Sequence, residues 1–337
     1  MEHIITRRRG FRRLLAFLLC MASILGLLPA QAFAMSVGQT ASSWLGDQYV
    51  GSDGNHYRAP APYTYLAYHA DGTIDVHTSS GGNAYRHYML TDSDGISHQV
   101  YCVESGIPYH TSENTYVSES GTNSQYLNLL PAEARRGITL TAIYGWKPGA
   151  ALPVSGINED DYKMATQIIL WEYQQQLRSD PYNRHGNGHA DGDQYFSVIA
   201  GRPAEKAYDW ILAQVASHST VPSFTSSKKS EAPELELKWD VEKKVYTLTV
   251  TDTNNLKIDL EALKGSGVSV TRNGNEYTFT SRQMMMDPVL FEFRKNIPVA
   301  NDMLIWGRPG YQTMMTGASD PVSFFVKFKT ETYGDRK

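Results

Sequence analysis

A single cysteine, Cys102, remains in this chain once the N-terminal leader is set aside. The other cysteine, Cys20, lies within the apolar part of that leader. A chain with one thiol cannot form an internal disulfide, so about 300 residues must be held together by packing and hydrogen bonding alone. Cys102 is therefore a buried inert residue, a link between molecules, or a reactive group.

The first 34 residues have the pattern of a secretory signal peptide. Five arginines precede an apolar run from Leu14 to Leu28, and Pro29 ends that run. Ala32-Phe33-Ala34 has the small residues of a cleavage site. The run is shorter than the roughly 20 residues that a membrane-spanning helix needs. We therefore expect a secreted protein that begins at Met35 and is not inserted into the membrane after cleavage.

The charge of the mature chain argues against two classes of partner. The whole sequence has 31 basic and 35 acidic residues, and the leader holds five arginines and one glutamate. The remainder therefore carries 26 basic against 34 acidic residues, a formal charge of −8. Nucleic acids and acidic membrane surfaces attract the opposite charge, so neither is an expected partner.

Between positions 35 and 121 the sequence predicts short strands. Tyrosine, serine, glycine and threonine are frequent there, and alternating segments stand between turn signals such as Asp71-Gly72 and Ser93-Asp94-Gly95. The run His98-Gln99-Val100-Tyr101-Cys102-Val103 is one of these segments. We therefore expect Cys102 to lie on a strand or at its end.

Three helical patterns follow the strands. Pro131 opens the first and Pro203 the third. Asn158 caps the second, which has three acidic residues in its first turn and runs to about Leu177. This second helix carries Gln167 and is apolar on more than one face, so it should be packed on most sides. A glutamine buried there needs hydrogen-bond partners.

A linker and an all-strand region complete the chain. Residues 222–232 contain the prolines, serines and lysines of a linker, and Asn273-Gly274 predicts a hairpin turn among the strands beyond it. The sequence thus predicts an α+β protein. Its parts are a signal peptide over 1–34, a first domain of strands and helices over 35–221, a linker over 222–232 and a separate all-β sandwich over 233–337.

Cys102 and Gln167 together offer a specific chemical reaction. A thiolate that attacks the carboxamide carbon of glutamine expels ammonia and leaves an internal thioester. The reaction needs contact geometry, and its product must be shielded from water. A strand residue facing a residue on a packed helix meets both needs. The bond stores an electrophile, which an amine of another molecule can attack to form a lasting amide.

The segments around these two residues resemble a known family. Tyr101-Cys102-Val103-Glu104 and the run from Thr166-Gln167 to Leu170-Trp171 are similar to the paired motifs of the Cys–Gln thioester domains, of TQxA type, in Gram-positive surface adhesins. The order of the helices and the strand-rich region after them extend the resemblance over most of the mature chain.

The resemblance implies roles for particular residues. Cys102 and Gln167 would be the cross-linked pair, and Tyr101, Thr166 and Trp171 would support them. The family implies an adhesin head at the cell surface or cell wall that captures a host or neighbouring-cell surface protein through an accessible amine. The bond would form autocatalytically, with no cofactor and no metal, and would be used once, so the protein would not be a turnover enzyme.

Anchoring departs from the family pattern. Such adhesins usually continue into a stalk and a wall-sorting signal, whereas this sequence ends at Lys337 without a Leu-Pro-x-Thr-Gly motif. We therefore expect either that the sequence is a fragment or that the protein is held at the surface in another way.

Two other functions stay open. In a non-covalent extracellular binding module, Cys102 would be an inert buried thiol, the most common state of a single cysteine. A secreted cysteine peptidase, with Cys102 paired to a histidine such as His110, is less favoured because no peptidase-like motif surrounds the cysteine. The loop that contains His185 and His189 is polar and glycine-rich, which indicates a solvated loop rather than a metal site.

Overall fold

The computed structural model describes ten segments of the chain, which are residues 37–45, 48–50, 56–58, 65–68, 74–77, 88–105, 107, 112–259, 263–298 and 302–332. All of them belong to one unit, Val37–Lys337. The predicted signal peptide and His110 lie outside the described residues. None of the helices in these segments is long and apolar enough to cross a bilayer.

Strands and helices alternate in blocks along the chain. Strands β1 to β9 are Thr40–Leu45, Gln48–Val50, His56–Arg58, Tyr65–Tyr68, Ile74–His77, Tyr88–Asp92, Ser97–Gln99, Tyr101–Cys102 and Ser112–Ser120. Helices α1 to α4 are Gln125–Leu129, Ala132–Tyr144, Glu159–Gln174 and Pro203–Ser217. Strands β10 to β18 are Glu234–Asp240, Val245–Thr251, Ile258–Asp259, Val268–Asn273, Glu276–Ser281, Val289–Lys295, Leu304–Gly307, Met314–Thr316 and Ser323–Thr330. The predicted α+β class is confirmed.

The first sheet holds Cys102 at its edge. Its order is β7-β6-β1-β9-β16-β17-β8, and Cys102 is the last residue of β8. Two further pairs, β2 with β3 and β4 with β5, form separate two-stranded sheets. The expectation that Cys102 lies on a strand is therefore confirmed.

Two strands of this first sheet come from far along the chain. β16 pairs with β9, β17 pairs with β16, and β8 pairs with β17. The sequence predicted a separate β-sandwich over 233–337. In the structure, two strands from that range, β16 and β17, pair into the first sheet beside Cys102 instead. Ile305 and Met315 are each 1% exposed. Their apolar pattern identifies strands, but it carries no information on which sheet the strands join.

Helices α2, α3 and α4 confirm the three predicted helices. The Asn158 side chain accepts from the Asp161 N–H at 2.9 Å, and the Asp161 carboxylate accepts from the Asn158 N–H at 2.8 Å, which is a capping box at the start of α3. α3 ends at Gln174, three residues before the predicted end, because Gln176 adopts a positive φ of 56°.

Two glycines bring α2 and α3 close together. A side chain at Gly137 would collide with the ring of Tyr173, and one at Gly145 would collide with the side chain of Thr166. Both glycines therefore allow a helix-to-helix distance that no larger residue permits. Gln167 lies on α3 within this packed layer and is 0% exposed.

The second sheet system forms the predicted β-sandwich. Its order is β12-β15-β18-β10-β11-β14-β13, and β10 pairs with β18 through its first half and with β11 through its second. The rings of Phe279 on β14 and Phe328 on β18 lie 4.7 Å apart, so the two halves pack face to face. Asn273 and Glu276 close the predicted hairpin, with Gly274 at a φ of 61°.

Because β16 and β17 complete the first sheet, we expect that residues 35–221 do not fold alone. A chain that ends at residue 221 lacks β16 and β17, so β8 and β9 lose the strands that join them. We expect such a chain to show no cooperative thermal unfolding, measured by circular dichroism, whereas a chain of residues 35–337 unfolds cooperatively. Cooperative unfolding of the shorter chain would show that residues 35–221 are an autonomous domain.

A point substitution gives a graded form of this test. Ile305→Ala should lower the free energy of unfolding by about 2–5 kcal/mol, because it leaves a cavity in a fully buried strand. Val241→Ala is the control, since Val241 is 75% exposed. Its effect should stay within about 0.5 kcal/mol.

Candidate functional site

The backbone of Cys102 is held by strand pairing on one side and by α3 on the other. Met314 of β17 lies opposite Cys102 in the antiparallel register. The Val103 N–H donates to the Thr313 carbonyl at 3.0 Å, which continues the contact past the end of β8. Cys102 is 0% exposed. Its position is therefore set by a segment more than two hundred residues later in the chain.

Gln167 faces Cys102 directly. The Cys102 N–H donates to Oε1 of Gln167 at 3.0 Å, and Nε2 of Gln167 donates to the Cys102 carbonyl at 2.7 Å. Both residues are 0% exposed. The two hydrogen bonds satisfy the buried carboxamide that the sequence singled out, and they fix its plane against the cysteine backbone.

This arrangement can polarise the carboxamide. A backbone N–H aimed at Oε1 stabilises the negative charge that develops on that oxygen when a nucleophile attacks the carboxamide carbon. The bond from Nε2 orients the nitrogen that would leave. The thiol that could attack belongs to the same residue as the donor N–H, so one short strand supplies both groups.

The thiol itself is shielded. Burial raises the pKa of Cys102 to about 12, and the nearby negative charge of Glu104 adds to the rise. The Trp171 side chain and the Glu104 backbone lower the pKa, but they do not cancel the effect of burial. The thiol is therefore protonated at neutral pH.

Thr166 and Tyr101 tie the strand to the helix. The Thr166 hydroxyl donates to the Tyr162 carbonyl at 2.8 Å and accepts the Trp146 N–H at 3.0 Å. The Trp146 carbonyl in turn accepts from the Tyr101 hydroxyl at 2.9 Å. The structure thus brings Tyr101, Thr166 and Trp171 around the Cys102–Gln167 pair.

Glu104 is a residue whose role the sequence did not reveal. Its Oε2 accepts from the Thr313 N–H at 2.9 Å and from the Thr313 hydroxyl at 2.6 Å. The sequence showed Glu104 only as the acidic end of the motif around Cys102. Thr313 lies 209 positions away, and no local pattern links the two.

Ser105 joins the same segment to the far end of α3. Its N–H and hydroxyl donate to Oε1 of Gln174 at 3.1 and 2.7 Å, and its Oγ accepts from Gln175 at 2.6 Å and from Tyr195 at 3.0 Å. Ser105 therefore connects the residues after Cys102 to the loop that follows α3.

The loop over residues 180–193 is attached by polar contacts. Nδ2 of Asn187 donates to the Gln175 carbonyl at 2.8 Å, and Nε of Arg184 donates to Asp193 at 2.7 Å. At the start of the loop, Arg178 forms a buried ion pair with Glu172 at 2.9 Å. Within the described ranges, no three His, Cys, Asp or Glu side chains come together as metal ligands.

Comparison with known proteins finds a match to the thioester domain. A family model described as "TED: Thioester domain" matches residues 99–217. No curated protein matches the chain. The thioester domain of the Staphylococcus aureus TIE protein has the same fold, with a TM-score of 0.50 and 14% identity, over 88% of this chain and 99% of that one.

Two further solved structures are similar at lower scores. The N-terminal thioester domain of the fibronectin-binding protein SfbI from Streptococcus pyogenes has 12% identity and a TM-score of 0.33, over 78% of this chain and 98% of that one. The N-terminal domain of the S. pyogenes pilus tip adhesin Cpa has 12% identity and a TM-score of 0.31, over 77% and 93%. The resemblance found in the sequence is confirmed by the thioester-domain match over residues 99–217 and by the fold shared with the thioester domain of the S. aureus TIE protein.

Proposed function

We propose that this protein is a secreted adhesin head that forms an internal thioester between Cys102 and Gln167 and uses it to capture a target amine covalently. The mutual hydrogen bonds between the Cys102 backbone and the Gln167 carboxamide carry the proposal. A glutamine with a purely structural role needs hydrogen-bond partners for its polar atoms, but these partners could belong to any residue. Here those partners belong to the one cysteine of the mature chain.

The bond forms by acyl transfer within the protein. The Cys102 thiolate attacks the Gln167 carboxamide carbon, the carbon–nitrogen bond breaks, and ammonia leaves with the proton that the thiol gave up. The Cys102 N–H supports the charge on Oε1. Trp171 and the Glu104 backbone lower the pKa of the Cys102 thiol and so favour the thiolate. No cofactor or metal takes part in these steps.

Burial explains how such a bond would persist. Cys102 and Gln167 are both 0% exposed, so bulk water has no direct access to the carbonyl carbon. The fixed geometry comes from β8 and α3 rather than from flexible loops. The thioester is consumed when an amine displaces the thiol, so each molecule captures one target and does not turn over.

The partner is a host or neighbouring-cell surface protein with an accessible amine. Support comes from the family of the domain and from similar structures, one of which is named as a fibronectin-binding protein and another as a pilus tip adhesin. The predicted signal peptide and the negative charge of the mature chain fit display at the cell surface.

A non-covalent binding module with an inert thiol is the second candidate. The raised pKa of Cys102 favours it, because a protonated thiol is unreactive. The two hydrogen bonds between the Cys102 backbone and the Gln167 carboxamide favour the thioester instead, since they polarise and orient the group that the thiol would attack. The peptidase has no support of this kind.

We further propose that the loop over residues 180–193 helps to choose the partner. Ser105 and Gln175 connect it to the segment that follows Cys102, and Tyr182 at its tip is 79% exposed. An exposed aromatic side chain on a braced loop is suited to recognition.

The first prediction concerns the intact mass of the secreted protein. The mass should fall short of the sequence mass by about 17 Da, one ammonia, because thioester formation expels it. Cys102→Ala and Gln167→Ala should each abolish the deficit, whereas Gln214→Ala, at a half-buried position on α4, should keep it. A full-mass wild type with a titratable thiol would rule out the thioester.

Methylamine should add at Gln167 and release the thiol of Cys102. Peptide cleavage that survives Gln167→Ala would instead favour the peptidase.

The second prediction concerns the free thiol of Gln167→Ala. At pH 8 a pKa of about 12 leaves a thiolate fraction on the order of a thousandfold smaller than that of an unfolded cysteine. Alkylation by iodoacetamide should therefore be slow in the folded variant, fast in urea, and faster at higher pH up to about 12. Equal rates with and without urea would show that Cys102 is not shielded.

The third prediction concerns the loop. Tyr182→Ala should slow Cys102-dependent cross-linking to host surface proteins by at least about tenfold, the effect of losing an aromatic anchor. The mass deficit should remain, because Tyr182 lies away from the packed elements. Leu129→Ala, at a site 84% exposed outside the loop, is the control. Unchanged cross-linking would show that the loop takes no part in recognition.

A further inference from the structure

His218 is a buried titratable group that the thioester chemistry does not use. It directly follows helix α4 and is 1% exposed. Nδ1 of its ring is hydrogen-bonded to the Tyr144 hydroxyl at 2.9 Å, and Nε2 lies 3.3 Å from Oδ2 of Asp320. Nε2 makes no well-aligned hydrogen bond to any residue that the structure describes. The ring therefore stands where α2, α4 and the segment leading into β18 meet.

Two cations lie around the same contact. The Lys295 ammonium on β15 donates to the carbonyls of Ser217 and His218 at 2.6 and 2.9 Å, which ties the end of α4 to the sandwich. Nη1 of Arg136 on α2 lies 3.3 Å from Oδ2 of Asp320. While His218 is neutral, the cluster thus holds two positive charges and one negative charge. A proton on His218 would add a third positive charge to a buried place.

A cavity of about 320 Å³ adjoins this contact. Its walls include Ile143 of α2, Lys295 of β15 and Asp320. Two more charged groups, Asp259 and Arg294, also line it, and their opposite charges offset each other. A water molecule takes up about 30 Å³ in the liquid. The cavity therefore gives water a place to enter when the helices and the sandwich move apart.

The surroundings of His218 set how the contact responds to acid. Burial lowers the pKa of His218 below its ordinary value of 6.5, and the Asp320 carboxylate raises it only in part, while Lys295 and Arg136 lower it again. Above pH 6.5 the ring is neutral whether the contact is closed or open. As the pH falls below 6.5, the opened, hydrated ring takes up a proton and the buried ring does not. The closed contact therefore loses stability until the pH reaches the lowered pKa.

The contact is connected to both sides of the Cys102–Gln167 pair. Tyr144 ends α2, two residues before Trp146, which braces α3 and β8 through its backbone N–H and carbonyl. Asp320 follows β17 by four residues, and β17 is the strand that pairs with Cys102. Movement at His218 would thus reach the helix that carries Gln167 and the strand that carries Cys102.

We propose that His218 is a proton-operated latch between the helices and the sandwich, and that its protonation in mildly acidic surroundings opens the contact and exposes the Cys102–Gln167 site to solvent. The opening itself does not depend on a thioester, whereas its consequence for capture rests on the proposed function. The latch keeps the stored bond covered at neutral pH and makes it accessible in acid.

Hydrogen exchange read by mass spectrometry tests the opening on the secreted protein. Amide protection is measured at pH 7.5 and at pH 5.0 and is corrected for the intrinsic exchange rate at each pH. Protection of residues 141–147 and 314–320 should fall in acid, by up to about tenfold for each pH unit below 6.5. Strand β14, inside the sandwich, should keep its protection.

Three variants assign the response. His218→Gln removes the titrating ring but keeps a carboxamide that can bond to Tyr144 or Asp320, so its protection should be the same at both pH values. Asp320→Asn should keep the acid response, because His218 still titrates and has lost the carboxylate that favours its charged form. His185→Gln, at an exposed site in the loop after α3, is the matched control and should behave like the wild type.

Access to the thiol is measured separately in Gln167→Ala, which cannot form the bond. The probe is 4,4′-dithiodipyridine, a disulfide that exchanges with thiols in weak acid. The rate of labelling of Cys102 is divided by the rate in urea at the same pH, so that the quotient reports opening of the folded protein. The quotient should rise at pH 5.0 and should stay constant when His218→Gln is added.

The outcomes separate the latch from the proposed function. A wild type without the mass deficit would refute the proposed function, while both readouts would still decide the latch. Unchanged protection and an unchanged quotient at pH 5.0 would overturn the latch. An acid response that persists in His218→Gln or disappears in Asp320→Asn would assign it to another group and would also overturn the latch. Equal loss of protection in β14 would show general acid unfolding in its place.

Discussion

The pair of hydrogen bonds between the Cys102 backbone and the Gln167 carboxamide is the contact on which the site depends. It joins the edge of a sheet to the middle of a helix, with neither residue in contact with solvent. A buried carboxamide without partners would be costly. Here the same two bonds that remove this cost also orient the carbonyl carbon and its oxygen. The stability of the site and the reaction proposed for it would therefore depend on the same two hydrogen bonds, which α3 helps to place.

The placement of Cys102 depends on a hairpin that follows most of the sandwich in the chain. β16 and β17 connect β9 to β8, and Thr313 holds both the Val103 backbone and the Glu104 side chain. The site thus forms only when two distant parts of the chain have met, and long-range pairing of this kind is slow compared with helix formation. An incomplete chain would not present an assembled reactive pair.

Burial of the thiol has two opposing consequences. It keeps water from the carbonyl, but it also raises the pKa of Cys102 and so works against the thiolate that the reaction needs. Trp171 and the Glu104 backbone reduce this conflict by lowering that pKa, and the single-use reaction proposed above would tolerate a slow first step. A turnover enzyme under the same constraint would need a general base beside the thiol. The geometry is therefore better matched to a stored bond than to repeated catalysis.

The sequence by itself determined the elements and singled out Cys102 and Gln167 as candidates. Asn158 marked the start of α3, Asn273-Gly274 marked a hairpin, and the motifs around Cys102 and Gln167 pointed to their family, because caps, turns and motifs are local signals. Only the tertiary structure decided that β16 and β17 complete the first sheet and that Thr313 holds Glu104. Strand patterns specify an extended, half-buried backbone without naming its partner. The contacts that place Glu104 therefore span 209 positions and leave no trace in either segment alone.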